Sequence, residues 1–142
     1  MALGDEYKVL KTFLIWAQTD IDFVVQKFLR KYVDRYIIPP NIYEAAVTAW
    51  RELKPRFDEA MPKIAEIPIN DLAKAGLWGP QLNFKIMIYD YVRRKLTETP
   101  RPAIIRRLFR IFKGIKDSLC PLIGCILEPV DEFLDAIDSA LP

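Results

Sequence analysis

The sequence predicts an all-α fold, an irregular bundle of five to seven helices interrupted by prolines. Apolar residues recur every three or four positions along most of the chain, which is the spacing of one helix face. No useful length of chain alternates apolar and polar residues, and the Asn-Gly turns of β-hairpins are missing. Several of the eleven prolines fall between the apolar stripes, where they remove backbone donors and end helices.

A chain of 142 residues fits one domain and can bury roughly 68–70% of the surface that its unfolded form exposes. We therefore predict a single helical domain over residues 1–142. Its predicted parts are an N-terminal helical segment at 1–38, a kinked helix and irregular loop at 41–79, basic helices at 80–119, and an acidic C-terminal helix at 126–142.

The N-terminal segment is predicted to be helical over 5–18 and 20–37, either as two helices or as one continuous helix. It could pack into the bundle or project as a helical arm. Pro39 and Pro40 end it, because a proline also forces the residue before it out of the α region. Its apolar stripe comprises Ile21, Val24, Phe28, Tyr32 and Tyr36.

The middle of the chain is predicted to contain one long helix over 42–64. Asn41 and Glu44 have the spacing of a capping box at its start. Pro55 and Pro62 lie inside it, and each predicts a kink or a split because proline cannot donate to the preceding turn.

Four further helices are predicted in the second half of the chain, separated by turns that contain Gly or Pro. The first lies in the irregular loop, where Asn70 or Asp71 could cap it. Residues 120–125 form the turn before the last helix. Ile111 and Phe133 lie at the centres of the apolar stripes of the last two helices. The four helices span residues 70–75, 80–96, 103–119 and 126–141.

The sequence lacks the commonest component of catalytic sites and the usual catalytic motifs. The chain has no His, which removes the commonest general base and metal ligand. Its five glycines form no phosphate-binding loop. Carboxylates such as Glu44, Asp58 and Glu59 occur at helical spacing on polar faces, as surface residues do. We therefore predict a protein that is not an enzyme and that has no cofactor and no metal site.

Cys120 and Cys125 are the only cysteines, and four residues separate them instead of the two of a zinc or redox motif. The pair could form a disulfide that closes a small loop. The two thiols could instead be reduced and buried as small apolar side chains. Both interpretations stay open, because a disulfide depends on the distance between the two Cα atoms.

Charge is distributed unevenly along the chain, although the formal net charge is only +2. Residues 91–119 contain nine basic residues and two acidic ones, a net charge of +7. Residues 120–142 contain five acidic residues and no basic one, a net charge of −5. The nine basic residues are Arg93, Arg94, Lys95, Arg101, Arg106, Arg107, Arg110, Lys113 and Lys116. The five acidic residues are Glu128, Asp131, Glu132, Asp135 and Asp138.

The basic residues of the helix at 103–119 form a stripe opposite its apolar face, with Arg107 at the border. Because Arg donates two parallel hydrogen bonds to phosphate, this pattern favours contact with nucleic-acid backbone. The stripe could instead pair with the acidic C-terminal helix, in the same chain or in a neighbouring copy. It could also lie on an anionic membrane or be a solvated surface. The acidic partner residues would be Glu128, Asp131, Asp135 and Asp138.

These patterns predict a non-enzymatic structural or assembly protein that associates with copies of itself and contacts nucleic-acid backbone without sequence specificity, as coat, nucleocapsid or chromosome-organising proteins do. The alternatives are an adaptor that binds proteins through its basic and acidic helices, or a membrane-surface protein.

The acidic N-terminus is unlike a secretory signal, and no apolar run reaches the ~18 residues that span a bilayer. We expect an intracellular protein, exported only as part of a particle if at all. Few Asn and Gln residues are typical of thermophilic proteins, but chance explains them equally well.

Overall fold

The computed structural model describes residues 5–98, 101–124 and 126–141, and these ranges are all-α with no strands, as predicted. The helices are α1 (Asp5–Phe23), α2 (Leu29–Asp34), α3 (Pro40–Ala65), α4 (Ile69–Lys74), α5 (Pro80–Glu98), α6 (Pro102–Ile123) and α7 (Pro129–Ala140). A π-helical segment, Val24–Phe28, joins α1 to α2 without a break. With that continuous helix counted once, the described residues form six helices, which agrees with the predicted bundle.

The N-terminal segment is one continuous helix from Asp5 to Asp34, one of the two predicted alternatives. It packs into the bundle and is not an arm, because Leu14 and Ile21 are fully buried. The predicted apolar stripe does not extend to Tyr36, because the helix ends before that residue. Tyr36 has a φ of 60°, uncommon for a bulky side chain, and is 96% exposed.

α3 is a single helix although it contains two prolines, so of the two predicted outcomes, a kink or a split, the split does not occur. Pro55 and Pro62 are exposed, and their rings therefore avoid the packed face. The buried face extends along most of the helix, and its burial offsets the hydrogen bonds that the prolines remove. The buried residues are Ala46, Trp50, Leu53, Phe57, Ala60 and Ile64.

The predicted side-chain caps of α3 and α4 are also wrong. Pro39 and Pro68 occupy the N-cap positions in extended conformation, and neither helix has a side-chain cap hydrogen bond. Each helix therefore begins earlier than predicted, and the predicted capping residues become exposed positions within the first turns. These residues are Asn41, Glu44, Asn70 and Asp71.

α6 continues through Pro121 to Ile123, so the turn predicted at 120–125 begins only at Gly124. Gly124 has a φ of 79°, a left-handed conformation in which glycine commonly ends a helix. Cys120 lies in α6 and is disulfide-bonded. Cys125 lies outside the described residues, so the pairing of these two cysteines stays a prediction.

The hydrophobic core surrounds α3, which packs against α7, α1 and α6, and α5 packs against α6. A chain of aromatic rings lies in this core, and the centroids of neighbouring rings are 4.7 to 6.0 Å apart. Because α5, α1, α6, α3 and α7 all contribute a ring, the chain of rings fixes which face of each helix is turned inward. In order, the rings belong to Tyr89, Phe13, Phe112, Phe57, Trp50, Phe133 and Phe109.

Candidate nucleic-acid interface

The core face of α6 is rotated relative to the predicted apolar stripe. Ile104 and Ile111 are only partly buried, whereas Phe109 and Phe112 are buried. The rotation arises because α6 packs against α3 and α7 as well as α5. The exposed side of α6 is flanked by α7 on one side and by α5 on the other.

The outward side of α6 has four exposed cations, which we name the α6 basic face: Arg106, Arg107, Arg110 and Lys113. Three of them, Arg107, Arg110 and Lys113, form no ion pair with any described residue. The fourth, Arg106, is at the limit of an ion pair, with its Nε 4.0 Å from Oδ1 of Asp138. The α6 basic face extends about 10 Å along the helix axis at 1.5 Å per residue.

The three predicted cations of α5 are not part of this face, and each forms an ion pair with an acidic residue of the same chain. Two of these pairs lie within α5 itself, one or nearly one helical turn apart. The pairs are Arg93 with Asp20 at 3.0 Å, Arg94 with Asp90 at 2.9 Å and Lys95 with Glu98 at 3.1 Å. Arg101 is exposed at the start of α6.

Lys116 is a core residue and not a surface cation, since only 2% of it is exposed. Its Nζ lies 2.6 Å from Asp117 and 2.9 Å from Asp131 of α7. Burial lowers the pKa of Lys116, but the hydrogen bonds and charges of the two carboxylates outweigh burial and raise it overall. Its assignment to phosphate binding does not agree with this position, because a buried, paired ammonium cannot reach an external phosphate.

The acidic residues of α7 are divided between two environments. Asp131 binds Lys116, whereas Asp135 and Asp138 line a groove between α6 and α7 together with residues of the α6 basic face. Glu128 is exposed and forms no ion pair with a described residue. The predicted pairing of the basic and acidic helices thus exists within the chain at Lys116, and it leaves most of the α6 basic face unpaired.

A buried polar cluster joins α1 to α5, and the sequence patterns did not reveal it. Asp20 is 5% exposed and accepts two hydrogen bonds of 3.0 Å, one from Tyr89 Oη and one from Arg93 Nε. The Arg93 guanidinium also lies 5.4 Å from the ring centroid of Trp16. The apolar spacing gave one indication of this cluster. Asp20 is a charged residue on the buried face of the N-terminal helix, between Ala17 and Val24.

Burial raises the pKa of Asp20 to about 6, and Arg93 and Tyr89 only partly oppose this effect. Desolvation outweighs the ion pair because the carboxylate has lost nearly all contact with water. Burial likewise raises the pKa of Tyr89 well above its ordinary value. The cluster connects two helices, with Asp20 and Tyr89 buried and Arg93 partly exposed at its edge.

The three α3 carboxylates considered from the sequence are surface residues. Glu44, Asp58 and Glu59 are exposed on α3, and Glu59 binds Arg56 at 3.2 Å. In the described part of the chain, no three Cys, Asp or Glu side chains are close enough to hold a metal ion.

Within the same residues, no helix combines the length and the apolar character needed to cross a membrane.

Comparison with known proteins found no match: no protein-family model, no curated protein and no solved structure is similar to this chain.

Proposed function

We propose that this chain is a non-enzymatic structural or assembly protein that binds nucleic-acid backbone, without sequence specificity, through the α6 basic face. The observation that carries the proposal is the exposure of four neighbouring cations on one rigid helix, three of them without an ion pair among the described residues. The proposed class is that of coat, nucleocapsid and chromosome-organising proteins, which associate with copies of themselves.

The dimensions of the α6 basic face suit a duplex. DNA has one phosphate per 3.4 Å along each strand, so a face about 10 Å long lies opposite about three phosphates of one strand. Arg106, Arg107 and Arg110 can each donate two hydrogen bonds to a phosphate, and Lys113 adds a fourth charge. These contacts involve no base edges, so the proposed binding does not depend on sequence.

The same geometry argues against a membrane-surface role and favours a protein-interaction role. A membrane-surface role for α6 requires its apolar face, and Phe109 and Phe112 of that face are buried in the core. A protein-interaction role is favoured by the groove between α6 and α7, where basic and acidic side chains of the two helices face each other. We keep the adaptor role as the second candidate function.

The test is binding of fluorescently labelled 20-base-pair duplexes of two unrelated sequences over a salt series. The variant Arg107→Gln with Lys113→Gln removes two unpaired cations of the α6 basic face. We expect weaker binding to both duplexes and a salt slope reduced by up to about 1.8, from roughly 0.9 per lost phosphate contact. Urea unfolding should be unchanged, because both residues are exposed.

A matched control carries the same change in net charge on another helix. Lys27→Gln with Arg30→Gln removes one exposed Lys and one exposed Arg from the N-terminal helix. This variant should bind both duplexes as the wild type does. Equal loss in the two variants would show only a dependence on net charge, and no binding by the wild type at about 20 mM salt would refute the proposal.

A further inference from the structure

α5 exposes a row of large apolar side chains that no described element covers. Phe84, Met87 and Tyr91 are 59%, 61% and 59% exposed. Their spacing of three and four residues places them on one face of the helix. Such a row usually packs against a partner, and here it lies beside the helix that has the α6 basic face.

A groove between α5 and α6 adjoins this row. Its floor is apolar and consists of Ile88, Ile111 and Ile115, with Phe84 at its edge. The partial exposure of Ile111, at odds with its predicted core position, follows from its place in this groove. The groove is therefore a second apolar surface that the fold itself leaves open.

Gly114 lines the same groove from the middle of α6, where glycine destabilises a helix relative to alanine. A Cβ at this position would meet no atom within 4 Å, so no contact inside the chain requires a glycine. The absence of a side chain does, however, allow an external helix to approach α6 closely. Gly114 therefore leaves the groove open to a close approach from outside.

The charges around the groove indicate the chemistry of that occupant. The two charged residues that line the groove, Lys85 and Arg110, are both cations, and neither forms an ion pair with a described residue. No acidic residue is among the described residues that line it. An apolar floor with a cationic rim is complementary to a helix whose apolar stripe is flanked by carboxylates.

We propose that the α5–α6 groove binds an acidic amphipathic helix of another protein. A second copy of this chain fits less well, because two such rims would place like charges opposite each other. The amphipathic helices α6 and α7 also bury their apolar faces in the core and cannot offer them to a neighbour. This proposal goes beyond nucleic-acid binding, since it depends on the apolar residues of the groove, although Arg110 of the α6 basic face also lines it.

The test uses a fluorescein-labelled synthetic helix of about 18 residues, with Leu at helical spacing and Glu on both flanks, in anisotropy titrations. The same peptide with Lys in place of Glu is the charge control. We expect the acidic peptide to bind and the basic peptide not to bind. The variant Phe84→Gln with Met87→Gln should weaken binding about tenfold or more, because both side chains would be buried by the peptide.

Two further variants separate a groove from a general apolar surface. Gly114→Leu should block the close approach and also weaken binding about tenfold, while thermal unfolding reports whether the fold is intact. Ile37→Gln changes an apolar residue of comparable exposure that does not line the groove, and its affinity should match the wild type.

Several results would overturn the proposal. Equal binding of the acidic and basic peptides would do so, as would unchanged affinity in both groove variants. Dimerisation seen by light scattering and lost in Phe84→Gln with Met87→Gln would identify a second copy as the occupant. Binding to vesicles of phosphatidylcholine with phosphatidylserine, lost in the same variant and without peptide binding, would identify a membrane. Because these variants retain the α6 basic face, they should bind DNA normally, and failure of either proposal leaves the other testable.

Discussion

At the scale of single residues, burial decides which of the many cations are available for binding. Sequence patterns place Lys116 among the surface cations because it lies in the most basic stretch of the chain. In the fold, α7 covers it and provides Asp131 as its partner. Hydrophobic spacing does not reveal such a contact, because it depends on how two helices pack and not on either helix alone.

Replacing Lys116 and replacing its two carboxylate partners should have different effects on the free energy of unfolding. Lys116→Met should change the free energy of unfolding by less than about 1 kcal/mol, since an apolar side chain suits this site. Asp117→Asn with Asp131→Asn should cost about 2–3 kcal/mol, because it leaves a buried ammonium without a counter-charge. Urea unfolding measures both. Equal destabilisation by the two variants would contradict the buried position of Lys116.

Asp20 gives a pH dependence of the opposite sign to ordinary acid denaturation. Its folded pKa of about 6 exceeds its ordinary value of 3.8, so the folded state binds the proton more tightly than the unfolded state. The resulting stabilisation is present in full below about pH 4 and is lost as the pH rises through 6. Tyr89 and Arg93 bind this carboxylate and Asp90 repels it, so all three groups contribute to the value.

The measurement is urea unfolding of the wild type and of Asp20→Asn at pH 7 and pH 4.5. Because Asn does not titrate, the wild type should gain about 2 kcal/mol relative to the variant over this interval. Other carboxylates lower the stability of both proteins equally on acidification, which is why the difference is the relevant quantity. Parallel pH curves for the two proteins would show that Asp20 titrates at an ordinary pKa.

At the scale of helices, apolar periodicity predicted which elements exist better than it predicted how they begin and end. Phe133, predicted at the centre of the apolar stripe of the last helix, is buried in α7 together with Val130 and Ile137. The boundaries of α3 differ because a proline at the N-cap, Pro39, replaces a capping side chain. Interior prolines are tolerated in α3 because the packing of its long buried face outweighs their low helix propensity. A local sequence pattern does not reveal this packing, because it depends on the other helices.

The contrast between Phe133 and Ile111 tests this picture of the helix faces. Phe133 is fully buried, with ring centroids 5.9 Å from both Trp50 and Phe109. Phe133→Ala should therefore cost about 3–5 kcal/mol in unfolding free energy. Ile111→Ala should cost only about 1 kcal/mol, because the side chain already contacts solvent in the α5–α6 groove. Similar costs for both substitutions would mean that the α6 face is assigned incorrectly.

At the scale of the whole molecule, the basic and acidic stretches of the sequence form two neighbouring helices. Basic α6 and acidic α7 lie side by side, as one of the predicted interpretations required. Only part of the charge is neutralised there, since Arg107, Arg110 and Lys113 remain unpaired among the described residues. The sequence reveals the total charges but not their alignment, because alignment depends on the rotation of α6 about its axis.

This arrangement predicts that α7 restrains the proposed nucleic-acid binding. Asp135 and Asp138 line the groove beside the α6 basic face, so their charges oppose those of an approaching phosphate. Asp135→Asn with Asp138→Asn should strengthen binding about three- to tenfold at low salt, for all sequences alike. The gain should shrink as salt rises, since screening weakens repulsion between exposed charges.

The control for this last prediction removes two acidic charges from a different helix, through Glu44→Gln with Asp58→Asn on the exposed side of α3. That variant has the same net charge as the α7 variant, so a purely global effect would strengthen binding equally in both. A gain confined to the α7 variant would place the nucleic acid next to α6 and α7. No gain in either variant would mean that the α7 carboxylates do not face the bound phosphates, and the contact would then have to lie on the side of α6 nearer Arg107.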